Sequence, residues 1–258
     1  MSQFETYSAF AQDLAEASRQ IIATAVRKPF DLEIKQDLSP VTTVDKAVED
    51  RIRALIQQTY PDHGILGEER ADTNPQAEFK WIIDPIDGTL PFLAGLPVFG
   101  TLIALVQDEV PVIGVIDMPM TKDRWVGCEG AQTTRNGQVV TTRACDDLSK
   151  ALITSSNPNF WDDTDRPVLT RLNEAARWGV YGGSCMAYGQ IASGRIDVGI
   201  EVNYDIHDYL ALVPVIQGAG GVITDWTGAP MTLRSGDRFV AAGDQRAHAA
   251  TLKIVSDS

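Results

Sequence analysis

Residues 81–89, Trp-Ile-Ile-Asp-Pro-Ile-Asp-Gly-Thr, decide more about this chain than any other stretch. Three apolar residues typical of a buried strand lead directly into two carboxylates, Asp84 and Asp87. Pro85 fixes the local path, so the bend can turn Asp84, the Ile86 carbonyl and Asp87 toward one point, as oxygen coordination of a hard cation requires. The stretch therefore predicts a cation site at the end of a strand.

The next two residues, Gly88 and Thr89, extend this prediction. They can open a helix whose free N–H groups face an anion, and together with the preceding carboxylates they predict a site for a metal and a phosphate. The same letters are also typical of a plain turn, because Asp-Pro and Asp-Gly are both common in turns. The rest of the chain has to decide between the two interpretations.

Strand-like and helix-like segments alternate on both sides of this stretch. Apolar spacing predicts one helix over the first two dozen residues, ended before Pro29, and a second after Pro40 with Thr42 or Thr43 as its cap. Buried strands are predicted at 100–106, 112–116, 151–155, 196–201 and 222–224, and further helices at 166–177, 184–193 and 207–217. This order predicts layered α/β packing, and we expect one domain, 1–258, with subdomains of roughly 1–148 and 149–258 that share an interface.

Composition excludes several classes of protein. The chain has 22 Lys and Arg against 35 Asp and Glu, a net charge of -13, which disfavours binding to nucleic-acid phosphates or anionic lipid. No run of about 18 apolar residues occurs, and no basic segment followed by an apolar one opens the chain. The 3 cysteines form no C-x-x-C pair, so they support neither a disulfide framework nor a thiolate zinc site. We expect a cytoplasmic protein without nucleic-acid or membrane partners.

Two further acidic elements are ambiguous when taken alone. Glu68 and Glu69 follow Gly67 after a short strand-like pair, and Asp208 stands at the start of a predicted helix. Adjacent acids in a loop are usually solvated, and acids stabilise helix N-termini without any catalysis. A chemical role for these residues requires a nearby cation.

These separate signals stand in the order and spacing of the inositol monophosphatase family of Mg²⁺-dependent phosphatases, which the chain resembles over nearly its whole length. Residues 84–89 are similar to the family's Asp-Pro-Ile-Asp-Gly-Thr motif without a mismatch, and residues 67–69 resemble its Gly-Glu-Glu element. The resemblance implies the family's layered α-β-α-β-α sandwich.

A late signature of the family, an Asp before Ala-Gly-Gly, resembles Asp208 with residues 219–221. The family's usual Trp-Asp pair reads His207-Asp208 in this chain, which is a departure. Asp208 keeps the spacing of twelve residues to Gly220, so we take Asp208 rather than Asp205 as the metal ligand.

The resemblance implies a role for each candidate site residue. Two or three Mg²⁺ ions would be held by Glu68, Asp84, the Ile86 carbonyl, Asp87 and Asp208. Such clustered carboxylates repel one another unless a cation lies between them. Gly88 and Thr89 would bind the phosphate. Thr89 paired with Asp45 resembles the family's water-activating pair, Glu68 would assist through a bound ion, and Lys35 resembles the lysine of the family's mobile loop. A metal-activated water would hydrolyse the ester without a covalent phosphoenzyme.

The substrate implied is a small phosphorylated metabolite. Residues 95–105, 188–194 and 208–216 look most like the histidinol-phosphate phosphatase branch, which serves histidine biosynthesis. Residues 181–186 resemble the substrate-side loop of that branch, except that Ser184 stands where an acid is expected. An inositol-1-monophosphatase, or another small sugar or nucleotide phosphatase, is the alternative.

Glu201 is the first candidate for a substrate contact. It lies seven residues before Asp208, the family's spacing for a side chain that touches the non-phosphate part of the substrate. It is also the polar end of a predicted strand, which requires no ligand. Gly183 and Ser184 are further candidates for substrate contacts, and the resemblance implies a homodimer.

Other classes fit the residues less well. The serine-hydrolase pattern G-x-S-x-G fails at Met186, and neither a P-loop nor a strand-borne G-x-G-x-x-G occurs. A non-catalytic acidic scaffold remains as the alternative from a different class, and release of phosphate that requires Mg²⁺ would exclude it.

Overall fold

The computed structural model describes residues 3–26, 28, 30–34 and 40–257, and the structural statements that follow refer to these residues. The helices are α1 (Gln3–Ala25), α2 (Thr43–Thr59), α3 (Thr89–Ala94), α4 (Arg166–Ala175), α5 (Ser184–Ala192), α6 (Ile206–Tyr209), α7 (Leu212–Gly218) and α8 (Gln245–Ser256). The strands are β1 (Leu32–Ile34), β2 (Pro40–Thr42), β3 (Gly64–Gly67), β4 (Phe79–Asp87), β5 (Gly100–Gln107), β6 (Val110–Met118), β7 (Asp123–Cys128), β8 (Thr134–Arg135), β9 (Gln138–Val139), β10 (Leu152–Ser155), β11 (Trp178–Tyr181), β12 (Val198–Glu201), β13 (Val222–Asp225) and β14 (Phe239–Ala242).

Two mixed sheets organise these strands. The larger sheet has seven strands in the order β3-β4-β5-β6-β7-β8-β9, and every pair in it is antiparallel except β3 with β4. The smaller sheet has five strands in the order β11-β10-β12-β14-β13, with β10 parallel to both of its neighbours. A short antiparallel pair, β1 with β2, stands apart from both sheets.

Helices cover both sheets on both sides. Helices α1 and α2 pack on one face of the seven-stranded sheet, and α5 and α7 lie between the two sheets, where they contact strands of both. Helix α8 packs on the outer face of the five-stranded sheet, with α4 beside it. Three clusters of buried apolar side chains fill the spaces between the layers: one under α1 and α2, one around α5 and α7 between the two sheets, and one under α4 and α8. The layers therefore follow the order α-β-α-β-α, and the expected α/β sandwich is confirmed.

The local predictions for the first half agree closely with the structure. Helix α2 begins after Thr42, whose Oγ1 accepts a hydrogen bond from the Val44 N–H at 3.1 Å, as expected for its N-cap. Asn136-Gly137, a pair typical of hairpin turns, joins β8 to β9. The expected boundary between subdomains near residue 148 stays a prediction.

The prediction of one helix over 207–217 is wrong, because the structure divides this segment into α6 and α7. Proline has no N–H, so in a continuous helix Pro214 could not bond to the carbonyl of Leu210. Starting a new helix at Leu212 places Pro214 in the first turn, where the missing N–H costs nothing. This break separates Asp208 from the apolar residues that follow it.

Two further observations concern membrane-spanning helices and disulfides. None of the helices in the described ranges is long and apolar enough to cross a membrane. Cys128, Cys145 and Cys185 are free thiols.

Candidate active site

Asp84 and Asp87 lie at the end of β4, in a β-bulge. Asp84 is paired with Leu102 and Asp87 with Gly100, so the register against β5 shifts between them. In a regular strand, residues three apart point to opposite faces of the sheet. The bulge adds a residue and bends the strand, which brings the two carboxylates to the same side.

Asp208 reaches the same place from α6. This helix packs against β4 and β5, and a capping box fixes its first turn. The Asp205 N–H donates to Asp208 Oδ2 at 2.7 Å, and the Ile206 N–H donates to Asp205 Oδ1. As a result, Asp84, Asp87 and Asp208 each offer a carboxylate oxygen within 4.8 Å of the others.

Asp84 and Asp87 are buried and Asp208 is half-buried, and the three carboxyl groups lie together at a high electrostatic cost. Burial, and then the charges of Glu68 and Asp87, raise the pKa of Asp84 well above its ordinary value. Burial and the charge of Asp87 raise the pKa of Asp208 in the same way. Asp84 Oδ1 is buried without a hydrogen-bond partner in the described part of the chain. An unpartnered oxygen in a cluster of acids fits a hard divalent cation such as Mg²⁺.

Glu68 belongs to the same neighbourhood. It follows β3, which runs parallel to β4, and its N–H donates to the Ile83 carbonyl at 3.3 Å. Its side chain is exposed, and its charge contributes to the raised pKa of Asp45, Asp84 and Asp87. Four of the acids predicted from the sequence therefore meet at one edge of the seven-stranded sheet.

Asp45 and Thr89, the pair implied by the resemblance, have different hydrogen-bond partners in this structure. The Thr89 hydroxyl donates to the Ile86 carbonyl at 3.3 Å. Asp45 is buried in the first turn of α2, where its Oδ2 accepts from the N–H and the hydroxyl of Thr42. Burial raises the pKa of Asp45, while these hydrogen bonds lower it.

Gly183 and Ser184 are brought against the acidic cluster. They precede Cys185, whose backbone N–H in the first turn of α5 donates to Asp87 Oδ2 at 2.5 Å. Gly88 has φ +85°, and a Cβ placed there would lie only 2.5 Å from Ser184 Oγ. A glycine is thus required for the two loops to touch.

Glu201 is buried in the interior and not at the surface of the protein. At the end of β12 it is only 1% exposed, and its carboxylate accepts from Tyr188 Oη at 2.6 Å, from the Ser156 N–H at 3.0 Å and from Ser155 Oγ at 3.2 Å. Burial raises the pKa of Glu201 to about 7, although these hydrogen bonds lower it. Its role as a substrate contact stays a prediction.

Two further positions noted in the sequence are Lys35 and His207. Lys35 lies outside the described residues. His207 stands where the family has Trp, and both of its ring nitrogens are buried without a hydrogen-bond partner in the described ranges. Its Nδ1 lies 3.8 Å from Asp205 Oδ1.

The sequence did not predict two contacts to candidate site residues, the hydrogen bond from the Cys185 N–H to Asp87 and that from the Tyr188 hydroxyl to Glu201. The first had a signal, because a helix was expected from Ser184 and its first-turn N–H groups need acceptors. The second had none, because nothing in the spacing of Tyr188 and Glu201 indicates which face of α5 meets β12.

Comparison with known proteins gives consistent results. The model of the inositol monophosphatase family matches residues 3–258. The chain is 39% identical over 261 residues to the bifunctional phosphatase IMPL2, chloroplastic, of Arabidopsis thaliana, covering 98% of this chain and 75% of that protein. It is 34% identical to a histidinol-phosphatase of Mycobacterium tuberculosis, covering 83% of this chain and 86% of that one.

A solved structure agrees in fold and sequence. An inositol monophosphatase from Zymomonas mobilis superimposes with a TM-score of 0.91 at 36% identity, covering 99% of this chain and 100% of that one. The match of the family model over nearly the whole chain and the acidic cluster at the Asp-Pro-Ile-Asp motif lead to one conclusion. The chain belongs to the inositol monophosphatase family of phosphatases.

Proposed function

We propose that the chain is a Mg²⁺-dependent phosphate monoester hydrolase that converts L-histidinol phosphate to L-histidinol and phosphate in histidine biosynthesis. The observation that carries the hydrolase assignment is the meeting of Asp84, Asp87 and Asp208 within 4.8 Å, with one buried oxygen unpartnered among the described residues. The 34% identity to a histidinol-phosphatase supports the substrate.

Five groups of the chain would hold the cations. They are Glu68, Asp84, the Ile86 carbonyl, Asp87 and Asp208, and we propose two or three Mg²⁺ ions for this set. When bound, Mg²⁺ lowers the pKa of a water molecule and neutralises charge on the phosphate and the departing oxygen. The Cys185 N–H holds Asp87 in orientation by its hydrogen bond to Oδ2.

The remaining residues handle the phosphate and a proton. Gly88 and Thr89, at the start of α3, are the proposed phosphate contacts. Thr89 and Asp45 are the proposed pair that accepts the proton of the attacking water, and Glu68 and Lys35 assist. This role requires the Thr89 hydroxyl to leave the Ile86 carbonyl, its acceptor in this structure.

Substrate choice is assigned to residues beyond the proposed cation ligands. Histidinol phosphate carries an ammonium group and an imidazole, which acidic groups bind by charge-assisted hydrogen bonds. We propose Glu201, Gly183 and Ser184 as the groups that contact this part of the substrate. An inositol phosphate is the second candidate, because the chain is 36% identical to the Zymomonas mobilis inositol monophosphatase.

Phosphate release from four esters tests this assignment. Histidinol phosphate, inositol 1-phosphate, fructose 1,6-bisphosphate and phosphoadenosine phosphate would each be incubated with the protein in Mg²⁺ and in EDTA. We expect the highest kcat/KM for histidinol phosphate and no turnover in EDTA. A preference for inositol phosphate would replace the substrate and keep the reaction, whereas release that is equal in EDTA would overturn both.

Glu201→Gln tests the substrate contact separately. We expect this variant to raise KM for the best ester more than it changes the dependence of the rate on Mg²⁺. Unchanged kinetics would remove Glu201 from the substrate side and leave it as a buried residue of β12.

We also propose a homodimer. Strand β11 forms one edge of the five-stranded sheet, and all four of its residues are exposed, with Trp178 at 63% and Val180 at 47%. An exposed apolar edge strand is a surface that other chains tend to cover. Light scattering of the protein and of Trp178→Lys tests this. A monomeric wild-type protein would exclude the dimer.

The cytoplasm is the proposed compartment. The three cysteines are free thiols, which suits a reducing environment. The plant relative is named as chloroplastic, so cell fractionation with an antibody against this chain is the deciding measurement. Recovery in an oxidising compartment would contradict the proposal.

A further inference from the structure

The bulge that joins Asp84 to Asp87 creates a problem for the main chain. Pro85 and Ile86 lie between the last two register pairs of β4 with β5, and Pro85 is buried. A buried carbonyl that leaves the ladder needs another donor. The structure supplies one from the opposite strand, because Thr101 Oγ1 donates to the Pro85 carbonyl at 2.8 Å.

Thr101 is itself held from the other side by a helix. Its Oγ1 lies 2.5 Å from Oγ of Ser18 on α1, and both residues are 0% exposed. A hydroxyl carries one hydrogen, and that of Thr101 is used on the Pro85 carbonyl. Ser18 must therefore be the donor to Thr101, which gives a chain of directed hydrogen bonds from α1 to the bulge.

A buried ion pair holds the start of this chain in place. Arg19, the neighbour of Ser18, donates to both oxygens of Asp117 at 3.0 and 2.6 Å, and Arg124 donates to Asp117 Oδ1. Asp117 on β6 is the register partner of Thr101 on β5. The contact that fixes α1 on the sheet therefore also fixes the distance between Ser18 and Thr101.

We propose that Thr101, supported by Ser18, is a positioning residue for cation binding. It satisfies the Pro85 carbonyl and so keeps the bulge in the shape that places Asp84 and Asp87 together. Valine has nearly the same shape and no hydroxyl, so Thr101→Val would leave this carbonyl unpaired in the interior. The bulge would then turn to find another donor and move both carboxylates. The inference rests on the proposed function, since it assumes that the acids bind a cation.

The chain offers a matched control in Thr133. It is also 0% exposed, and its hydroxyl donates to a main-chain carbonyl, that of Val215, at 2.7 Å. That carbonyl belongs to α7 and not to the acidic cluster. Thr133→Val therefore removes the same kind of hydrogen bond elsewhere, and Thr101→Ser keeps the hydroxyl at the site.

The experiment measures Mn²⁺ binding to the full-length protein and its variants by calorimetry, without substrate, and the unfolding midpoint of each. We expect Thr101→Val to weaken Mn²⁺ binding about tenfold, the lower end of the effect of groups that orient metal ligands. Thr101→Ser should stay within about twofold of wild type, and Thr133→Val should bind like wild type while losing similar thermal stability.

The outcomes separate this proposal from the proposed function. Wild-type binding of Mn²⁺ together with unchanged affinity in Thr101→Val would overturn the positioning role alone. Absence of Mn²⁺ binding by the wild-type protein would overturn the proposed function and this role with it. If Thr101→Val does not fold, Ser18→Ala takes its place, and an affinity equal to that of Thr133→Val would overturn the proposal.

Discussion

The seven-stranded sheet buries aspartates in two contrasting environments. Asp117 on β6 is 0% exposed and accepts hydrogen bonds from two guanidinium groups, those of Arg19 and Arg124. Asp84 on β4 is 2% exposed, lies among other acids, and has an oxygen without a hydrogen-bond partner among the described residues. Asp117 thus finds its hydrogen-bond donors within the chain, whereas the cluster around Asp84 requires a cation from outside.

This contrast indicates how structural and functional acids differ within one core. The buried Asp117 carboxylate holds α1 on the sheet, and both of its oxygens already accept hydrogen bonds from arginines. A cluster of like charges is retained at a cost in stability, which a bound cation offsets. Four substitutions or measurements test this division, from the largest expected effect to the smallest.

Asp87→Asn removes one carboxylate from the cluster of Asp84, Asp87 and Asp208. The variant should lower Mg²⁺-dependent kcat/KM at least about a thousandfold, or roughly 4 kcal/mol, because it removes a cation ligand at the reacting centre. Its fold should remain, since burial raises the pKa of Asp87 and the loss of a charge among acids relieves repulsion. Phosphate release and circular dichroism measure the two effects. An active variant that still responds to Mg²⁺ would contradict the site.

Asp117→Asn removes the buried carboxylate on β6. It leaves Arg19 and Arg124 without their carboxylate, so the free energy of unfolding should fall by roughly 3 to 5 kcal/mol. At a temperature where it is folded, the variant should still require Mg²⁺ for turnover. Denaturant unfolding and a Mg²⁺ titration measure both. A variant with full stability would show that this ion pair does not hold α1.

Glu201 is a third kind of buried acid, held by hydroxyls and an N–H and by no cation. Its pKa is raised from 4.5 to about 7 by burial, so between these values the folded protein keeps a proton that the unfolded chain releases. Stability should therefore decrease as pH rises from 4.5 to 7 and level off above, by up to roughly 3 kcal/mol.

Glu201→Gln cannot ionise, so its stability relative to wild type should increase over this pH range. Denaturant unfolding of both proteins in EDTA at pH 5 and pH 8 measures the difference. Parallel curves would show that Glu201 titrates at its ordinary value in the folded protein.

The smallest expected effect is a dependence of Mg²⁺ affinity on pH. Burial and mutual repulsion raise the pKa of Asp84 and Asp208, so a cation that binds these carboxylates competes with protons for them. Mg²⁺ affinity should increase with pH, by about 1.4 kcal/mol per pH unit for each proton released. Calorimetry in buffers of different ionisation enthalpy counts these protons. A binding heat that is the same in every buffer would contradict the linkage.

Much of the first half was predictable because its signals are local. Of the two caps that the sequence predicted, Thr42 and Thr43, the structure has Thr42, and the Asp-Pro-Ile-Asp motif predicted acids at the end of a strand. The second half was less predictable, because Trp178–Tyr181 and Phe239–Ala242 are short strands whose partners lie far away in sequence. The helix expected over 207–217 failed at Pro214, where the missing N–H requires a break.

The sequence by itself determined the layered α/β class, the family and the acids of the candidate site, since hydrophobic periodicity and a motif that matches without a mismatch are properties of neighbouring residues. Only the tertiary structure decided that a bulge turns Asp84 and Asp87 to one side, that α6 brings Asp208 to them, and that Thr101 satisfies Pro85. It also placed Glu201 in the interior beneath Tyr188. These contacts join residues distant in the chain, and their positions depend on how sheets and helices pack rather than on local propensity.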